Sequence, residues 1–481
     1  MAANSVIEQK PLFQQLPVGQ EVIYVVSNTT AVADELKVKF IANVHISSTT
    51  PANPNTSADL VGTFKTTPNN AGVGIFDFRN IIENYVKADN MAADGSTYKT
   101  ATTSSTNRHP LQLINKFSLN NNILRYLVIK FEVEYLGATD TSGNQDPNIV
   151  RTQAGTDATS LPYMVFNGYL KYTDHLSLGS SVTNANDFGF SLVNFYASST
   201  GKKFLTNAPA IQYANIDDYG TMSYFAPDIA IAANVHQIKF TYYDSTGSAI
   251  GTPDTVLRDS STGAYNAYDA NANRQIIHFG CYPANLRNWS TNFNALVTAG
   301  TIQGGYYTIQ AQNASNAGMT QLYTINVNCP EGKGFESIRL CWLNQWGVWD
   351  YYTFIKKSIK SISTKGSTYQ QLQGTWNESA YRIDSFRGGK KSFRVNATEK
   401  ITMNTGFLVE DENVIFEELI NSPEVYQLEG FQSDTFTAFN QYVTPVRLTT
   451  SSFTKKTIAN DKLIQYTFEI EKSKTLRTQS I

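Results

Sequence analysis

Charge is what this chain has least of. Only 16% of its 481 residues are Asp, Glu, Lys or Arg, against roughly 25% in an average soluble domain, so contacts must rest on other side chains. The formal net charge of -2 supplies no basic field to hold nucleic acid and no acidic bias toward a basic partner. Cysteine is nearly missing too. Cys281, Cys329 and Cys341 are odd in number and form no CxxC, which argues against a disulfide framework or a zinc knuckle and for buried reduced thiols. Residues 1–19 hold no apolar run long enough for a signal peptide or a membrane span, so the chain is expected to be made and kept in a cytoplasm, away from membranes. Without a secretory signal, Asn-x-Ser/Thr triplets such as the one at Asn313 carry no implication of glycosylation.

What fills the space is aromatic and β-branched. Tyr and Phe number 27 each while Met is only 6, a balance that favours pleated, half-buried surfaces over helix bundles. Short strand-like runs recur at residues 21–27, 36–46, 126–135, 168–172, 238–243, 275–279, 306–310, 323–328 and 338–343. In the second of these, Val38, Phe40, Ala42, Val44 and Ile46 alternate with Lys37, Lys39, Asn43 and His45, Ile41 being the exception, as in a half-buried strand. Helical signal is sparse: Asp77 can cap a helix over 78–87, and Asn413 one over 414–419 before Ser422-Pro423. Residues 47–72 and 88–108 are polar and long enough to be either arms that order against a partner or plain surface loops. These features predict a mainly β chain of multiple β-sandwich domains with a few short helices and long polar loops. A hairpin at Asp244-Ser245-Thr246-Gly247 and a Gly/Ser/Gln-rich stretch at 365–374 divide it into domains at 1–232, 233–375 and 376–481. No fixed repeat period is present, which excludes a solenoid or propeller.

Reactive constellations are missing. His45, His109, His175, His236 and His278 are scattered with no HExxH, and no GxSxG, Walker A or GxGxxG motif exists. Residues 269–273 (DANAN) begin like a calcium loop, but Arg274 stands where the turn glycine belongs and no Glu closes it. Glu410, Asp411, Glu412, Glu417 and Glu418 crowd one segment and read as a solvated or interface face, not a glycosidase pair across a cleft. Arg387-Gly388-Gly389-Lys390-Lys391, between Phe386 and Phe393, reads as a hairpin turn with charged flanks. No catalysis, cofactor or metal is expected.

The densest segment is 341–354, CWLNQWGVWDYYTF, with three of the five tryptophans. It predicts a strand, a turn at Gly347 and a return strand, with rings filling a core or an interface. The string LNQWGVWDYYTF resembles a motif of virion proteins of tailed phages infecting Bacteroidetes and related hosts, including the crAss-like group. Residues 21–46, 74–86 (GIFDFRNIIENYV), 163–172 (YMVFNGYLKY) and 462–471 (KLIQYTFEIE) carry the same flavour.

That resemblance implies a non-enzymatic β-sandwich subunit of a tail, neck or ring, assembled in cyclic symmetry in the host cytoplasm and located in the virion. Its partners would be other copies of itself and neighbouring portal, tail or adaptor proteins. Candidate interface residues are Trp342, Trp346, Trp349, Tyr351, Tyr352, Glu410, Glu412 and Tyr426, with 410–428 as a contact segment. Two other readings stay open. One is a host-surface glycan-binding or fibre-adaptor module using Trp289, Tyr265 and Tyr268; the other, weaker, is a jelly-roll capsid protein.

Overall fold

The computed structural model describes residues 5–11, 15–47, 53–54, 57–86, 111, 117–119, 123–136, 150–152, 158–160, 162–169, 195, 197, 199–226, 235–257, 275–328, 335–375, 378–430, 443–452, 454–456, 464–478. The fold is mainly β, with several antiparallel sheets and a few short helices. The chain divides into two units, one of residues 1–328 and 343–350, the other of residues 329–342 and 351–481.

The first unit opens with a sandwich. A three-stranded antiparallel sheet orders Val6–Gln9, Ile23–Ser27 and Val73–Asp77. A larger sheet runs Gln15–Pro17, Tyr163–Phe166, Leu124–Leu136, Leu36–Ser47 and Leu60–Thr66, with Ala158–Thr159 and Val150–Thr152 also paired to Leu124–Leu136. One face of each sheet enters a shared core, and Tyr24 and Phe76 from the small sheet meet Phe131 of the large one at 5.5 and 5.7 Å. Val38, Phe40, Ala42, Val44 and Ile46 all lie in that core, as alternation demands. Their opposite face is less polar in effect than its residues suggest. Ile41 and His45 are each only 4% exposed there, and Asn43 bonds Glu132 (2.9 Å) and Thr63 (2.8 Å) across the neighbouring strands.

The rest of this unit stands on a five-stranded sheet: Ile211–Asn215, Tyr323–Asn328, Tyr306–Gln312, Gln237–Tyr243 and Asp254–Leu257. Two helices that the sequence reading did not anticipate, Pro283–Trp289 and Thr291–Thr298, lie against it. Pro283 opens the first, and the Ser290 hydroxyl caps the second by accepting from Phe293 N at 2.8 Å. Phe293 then packs on Tyr242 and Tyr307 at 5.4 and 5.7 Å. The hairpin at Asp244 forms as expected, with the Asp244 carboxylate accepting from Thr246 N and Ser248 N. It does not open a fresh sheet. Ile211–Asn215 pairs with Tyr323–Asn328, and Thr221–Ala226 with Gln275–Gly280, so strand pairing crosses the boundary expected at 232/233. A strand occupies Tyr163–Phe166; of the strand expected at 168–172, Gly168 and Tyr169 lie beyond its end and residues 170–172 lie outside the described residues.

The second unit is built on a seven-stranded sheet ordered Trp349–Phe354, Ile338–Leu343, Val425–Leu428, Val443–Leu448, Thr467–Lys472, Gly389–Asn404 and Ser358–Gln371. Pairing of the last two strands spans the boundary expected at 375/376. A sheet is one cooperative hydrogen-bonded body, and composition shifts in its loops do not cut it. The helix Asn413–Asn421 sets Phe416 among Tyr352, Phe354, Phe468 and Tyr466, with centroids 4.9 to 6.4 Å apart. Asn413 is the first helical residue, not the cap, because its amide is held by Lys456 O (3.1 Å) and Tyr466 Oη (2.6 Å). Asp77 does serve the start of the helix Arg79–Ile82, accepting from Arg79 N at 3.0 Å; the helix stops short of residue 87 in a turn. Of the two long polar stretches, residues 60–66 of the first form a strand, and 88–108 lie outside the described residues.

Candidate functional site

The aromatic hairpin is core. Its turn residues 343–350 fall in the first unit, where the Asn344 side chain organises the chain reversal. Asn344 Oδ1 accepts from Trp346 N and Val348 N at 2.9 and 3.3 Å, while Nδ2 donates to Leu205 O and Asp350 Oδ2, each at 3.0 Å. Gly347 has φ of 71°, and a Cβ there would sit 1.7 Å from Asn167 O, so glycine is required twice over. Trp346 and Val348 join a cluster with Phe166, Phe225 and Ile276.

The candidate interface residues separate on inspection. Trp342, Trp346, Trp349 and Tyr351 are buried, with exposures of 0 to 5%. Within this chain these four rings pack into its own core. Tyr352 is half-buried, its hydroxyl accepting from Gly406 N at 3.0 Å. Tyr426 is half-buried and donates to the Glu424 carboxylate. Glu410 is exposed, and Glu412 is half-buried with its carboxylate accepting from Val409 N at 2.8 Å. Trp289, offered as a sugar platform, is half-buried against Phe240 at 5.8 Å; Tyr265 and Tyr268 lie outside the described residues.

Two buried polar groupings escaped the sequence reading because their members are far apart in the chain. Ser223 and His278 sit opposite each other on adjacent strands, Oγ to Nδ1 2.6 Å. Nucleophile and base are at working distance; both are buried, and the pair ties adjacent strands together. Asp350 is buried as well, accepting from the Thr206 hydroxyl at 2.6 Å and from Asn344. Burial pushes its carboxyl up to about 6 against those two donors, which pull it down. Burial likewise pushes the Cys341 thiol up, so it is an inert packing group, as is buried Cys281; Cys329 lies outside the described residues. His45 is buried in a sheet, and His109 and His175 lie outside the described residues. Among the described residues no three His, Cys, Asp or Glu side chains gather as metal ligands, and no helix is long and apolar enough to cross a membrane.

One element of the second unit is exposed along most of its length. Ser358–Gln371 and Gly389–Asn404 form a two-stranded arm with one bulge, at Ser367/Thr368. Its base is held in the sheet by Thr467–Lys472 alongside residues 400–404 and by the Leu476 backbone at Ala397. Beyond that bridge the seven pairs of residues 365–371 run out about 23 Å at ~3.3 Å per residue. The face that buries Ile401 and Met403 at the base continues outward through Ile362 and Val395, which are exposed. At the end, residues 372–375 and 378–388 fold on one another, Thr375 N donating to Arg382 O at 2.9 Å and Tyr381 Oη to Gln373 O at 3.1 Å. That closure leaves Leu372, Tyr381, Ile383 and Phe386 outside, at 66 to 70% exposure. The basic cluster Arg387–Lys391 closes this loop, as the hairpin reading expected. Among the described residues no strand pairs with the outer edge of Ser358–Gln371.

Charge divides at the foot of the arm. Residues 358–404 hold 8 of the chain's 38 Lys and Arg and 3 of its 40 Asp and Glu, a net +5. Residues 405–424 hold six acids and no Lys or Arg. There Leu408 is anchored in the core, bridged to Ile464, while its neighbours Phe407 and Val409 are 59% and 55% exposed beside surface Glu410 and Asp411.

No protein-family model matches the chain, and no curated protein does. Among solved structures, it is similar to the native conformation of E. coli alpha-2-macroglobulin with TM-score 0.17 and 9% identity, over 85% of this chain and 22% of that one. It is similar to Salmonella alpha-2-macroglobulin reacted with methylamine with TM-score 0.16 and 8% identity, over 96% of this chain and 23% of that one. The chain thus spans less than a quarter of the length of those proteins, and at these TM-scores the likeness carries no argument.

Proposed function

We propose that the chain is a structural subunit of a tailed-phage virion, a tail, neck or ring component that assembles with copies of itself and with neighbouring virion proteins and performs no catalysis. The observation that carries this reading is the arm. A two-stranded element that extends its core-type face into water, ends in four large exposed apolar side chains and leaves one edge open is stable in solution only at a cost, and it gains by being covered. The phage assignment itself comes from the resemblance of the 343–354 segment, whose Asn344 and Gly347 have defined roles in the turn. Burial of the Ser223–His278 pair supports a non-catalytic role. The packing of Trp289 against Phe240 removes one of three residues from the sugar-binding alternative.

The test is stoichiometry. Native mass spectrometry and negative-stain imaging are expected to give closed cyclic oligomers, or a monomer that enters one when portal or tail proteins are added. A chain that stays monomeric under both conditions overturns the reading.

A further inference from the structure

We infer that the arm's end docks on the acidic segment 407–411 of a second copy of this chain, giving a head-to-tail contact that repeats around the assembly. The inference rests on the assembly reading and names the surfaces that would make it.

The two surfaces are complementary in both respects that matter. The end of the arm presents Leu372, Tyr381, Ile383 and Phe386 with exposed Arg382, Lys390 and Lys391 beside them. The acidic segment presents Phe407 and Val409 with Glu410 and Asp411. Apolar groups on each side lose water on contact, and the charges around them are opposite, which fixes orientation and rejects like surfaces. Both surfaces are built, not loose. The loop is held by Thr375, whose hydroxyl accepts from Arg382 N at 3.0 Å, and by Arg387, which donates to Gly374 O at 3.4 Å and stacks on Phe386. The acidic segment is held by buried Leu408 and by the Glu412 carboxylate on Val409 N. Lys356 already lies over the Phe407 ring at 5.3 Å, which marks that ring as a cation-accepting face.

Geometry excludes satisfaction within one chain. The acidic segment begins just after Asn404, at the foot of the arm, and the 16 residues of Gly389–Asn404 separate it from the arm's end by about 50 Å along the strand. A donor surface and an acceptor surface that differ, and that are displaced on one rigid element, pair heterologously, and such pairing yields a ring when the rotation closes. A nucleic acid fits less well. Phosphates would meet the Lys and Arg side chains, but Leu372 and Ile383 have no ring to stack on bases and would stay in water.

The experiment uses the full chain and charge reversal on each surface. Arg382→Glu with Lys390→Glu on the arm, or Glu410→Lys with Asp411→Lys on the acidic segment, is expected to raise the midpoint concentration of assembly at least tenfold in light scattering and native mass spectrometry. The variant carrying all four changes, and an equimolar mixture of the two double variants, are expected to recover assembly, the mixture in even-numbered species. Circular dichroism and the melting temperature separate misfolding from lost docking. If the native chain assembles and both double variants assemble equally well, this inference falls while the assembly reading stands. Failure of the fourfold variant and of the mixture to recover overturns it too. So does binding of DNA or of anionic phosphatidylserine vesicles that the arm variant abolishes while its oligomers persist. A native chain that stays monomeric alone yet joins rings when portal or tail proteins are added sinks the second-copy contact and leaves the broader reading intact. A chain monomeric under both conditions sinks both.

Discussion

Two hairpins of this chain meet opposite fates. Ile338–Leu343 with Trp349–Phe354 is buried at eleven of its twelve strand positions, whereas Ser358–Gln371 is exposed at twelve of its fourteen and Gly389–Asn404 at the seven of its sixteen nearest the end of the arm. The first is largely apolar on both faces and closed by a turn that the Asn344 side chain organises through four hydrogen bonds. The second carries large apolar residues singly, among Ser, Thr, Lys and Asn, and among the described residues Ile362 and Val395 stay exposed. Aromatic density here marks a core, and the large apolar side chains spaced out along the arm are left in water.

The sharpest way to break this comparison is at the turn of the buried hairpin. Gly347→Ala combines a left-handed backbone with a clash against Asn167 O and is expected to destabilise the first unit by about 4 kcal/mol or more, read as a drop in urea midpoint. Asn344→Ala deletes four side-chain hydrogen bonds in a buried turn and should cost about 2–4 kcal/mol. Asp350 adds a pH signature to the same turn. Its carboxyl is raised by burial, so the native state holds a proton that the unfolded chain releases, and stability falls as pH rises from about 4 to about 6, by on the order of 3 kcal/mol. Above pH 6 the full cost of the buried charge is present. Asp350→Asn should flatten that slope in urea titrations run from pH 4 to pH 7; an unchanged slope would show that other groups carry it. On the exposed hairpin the same scale of substitution should do almost nothing to the fold. Ile362→Ser with Val395→Ser is expected to shift stability by no more than about 0.5 kcal/mol. A loss of several kcal/mol there would mean the arm is covered within its own chain.

Much of this was legible in the residues. Alternation in 36–46 located a core face, Asp244 and Gly247 gave a hairpin, and the 341–354 string gave strand, turn and strand. The helices Pro283–Trp289 and Thr291–Thr298 were missed although Pro283 and Ser290 were available as start signals, because their apolar stripe is thin and Asn-rich. The tryptophans of 342–349, legible as a dense aromatic segment, pack inside the chain, and the arm was legible only in part. Its basic cluster was identified as a hairpin turn, but the apolar residues flanking it are spaced too widely to register as a feature until the loop 372–388 gathers them at one end.

The sequence by itself determined the class of structure, since a chain this poor in charge and Met and this rich in Tyr, Phe and β-branched residues forms layered sheets, and side-chain alternation sets which face each strand buries. Only the tertiary structure decided which apolar groups stay in water. Burial depends on what lies opposite, and pairings such as Ile211–Asn215 with Tyr323–Asn328, more than a hundred residues apart, are not written in any local window. The arm became a surface because, among the described residues, the strand and bridge that flank its base reach only to its pairs with residues 467–471 and 476, and the outer residues stay exposed.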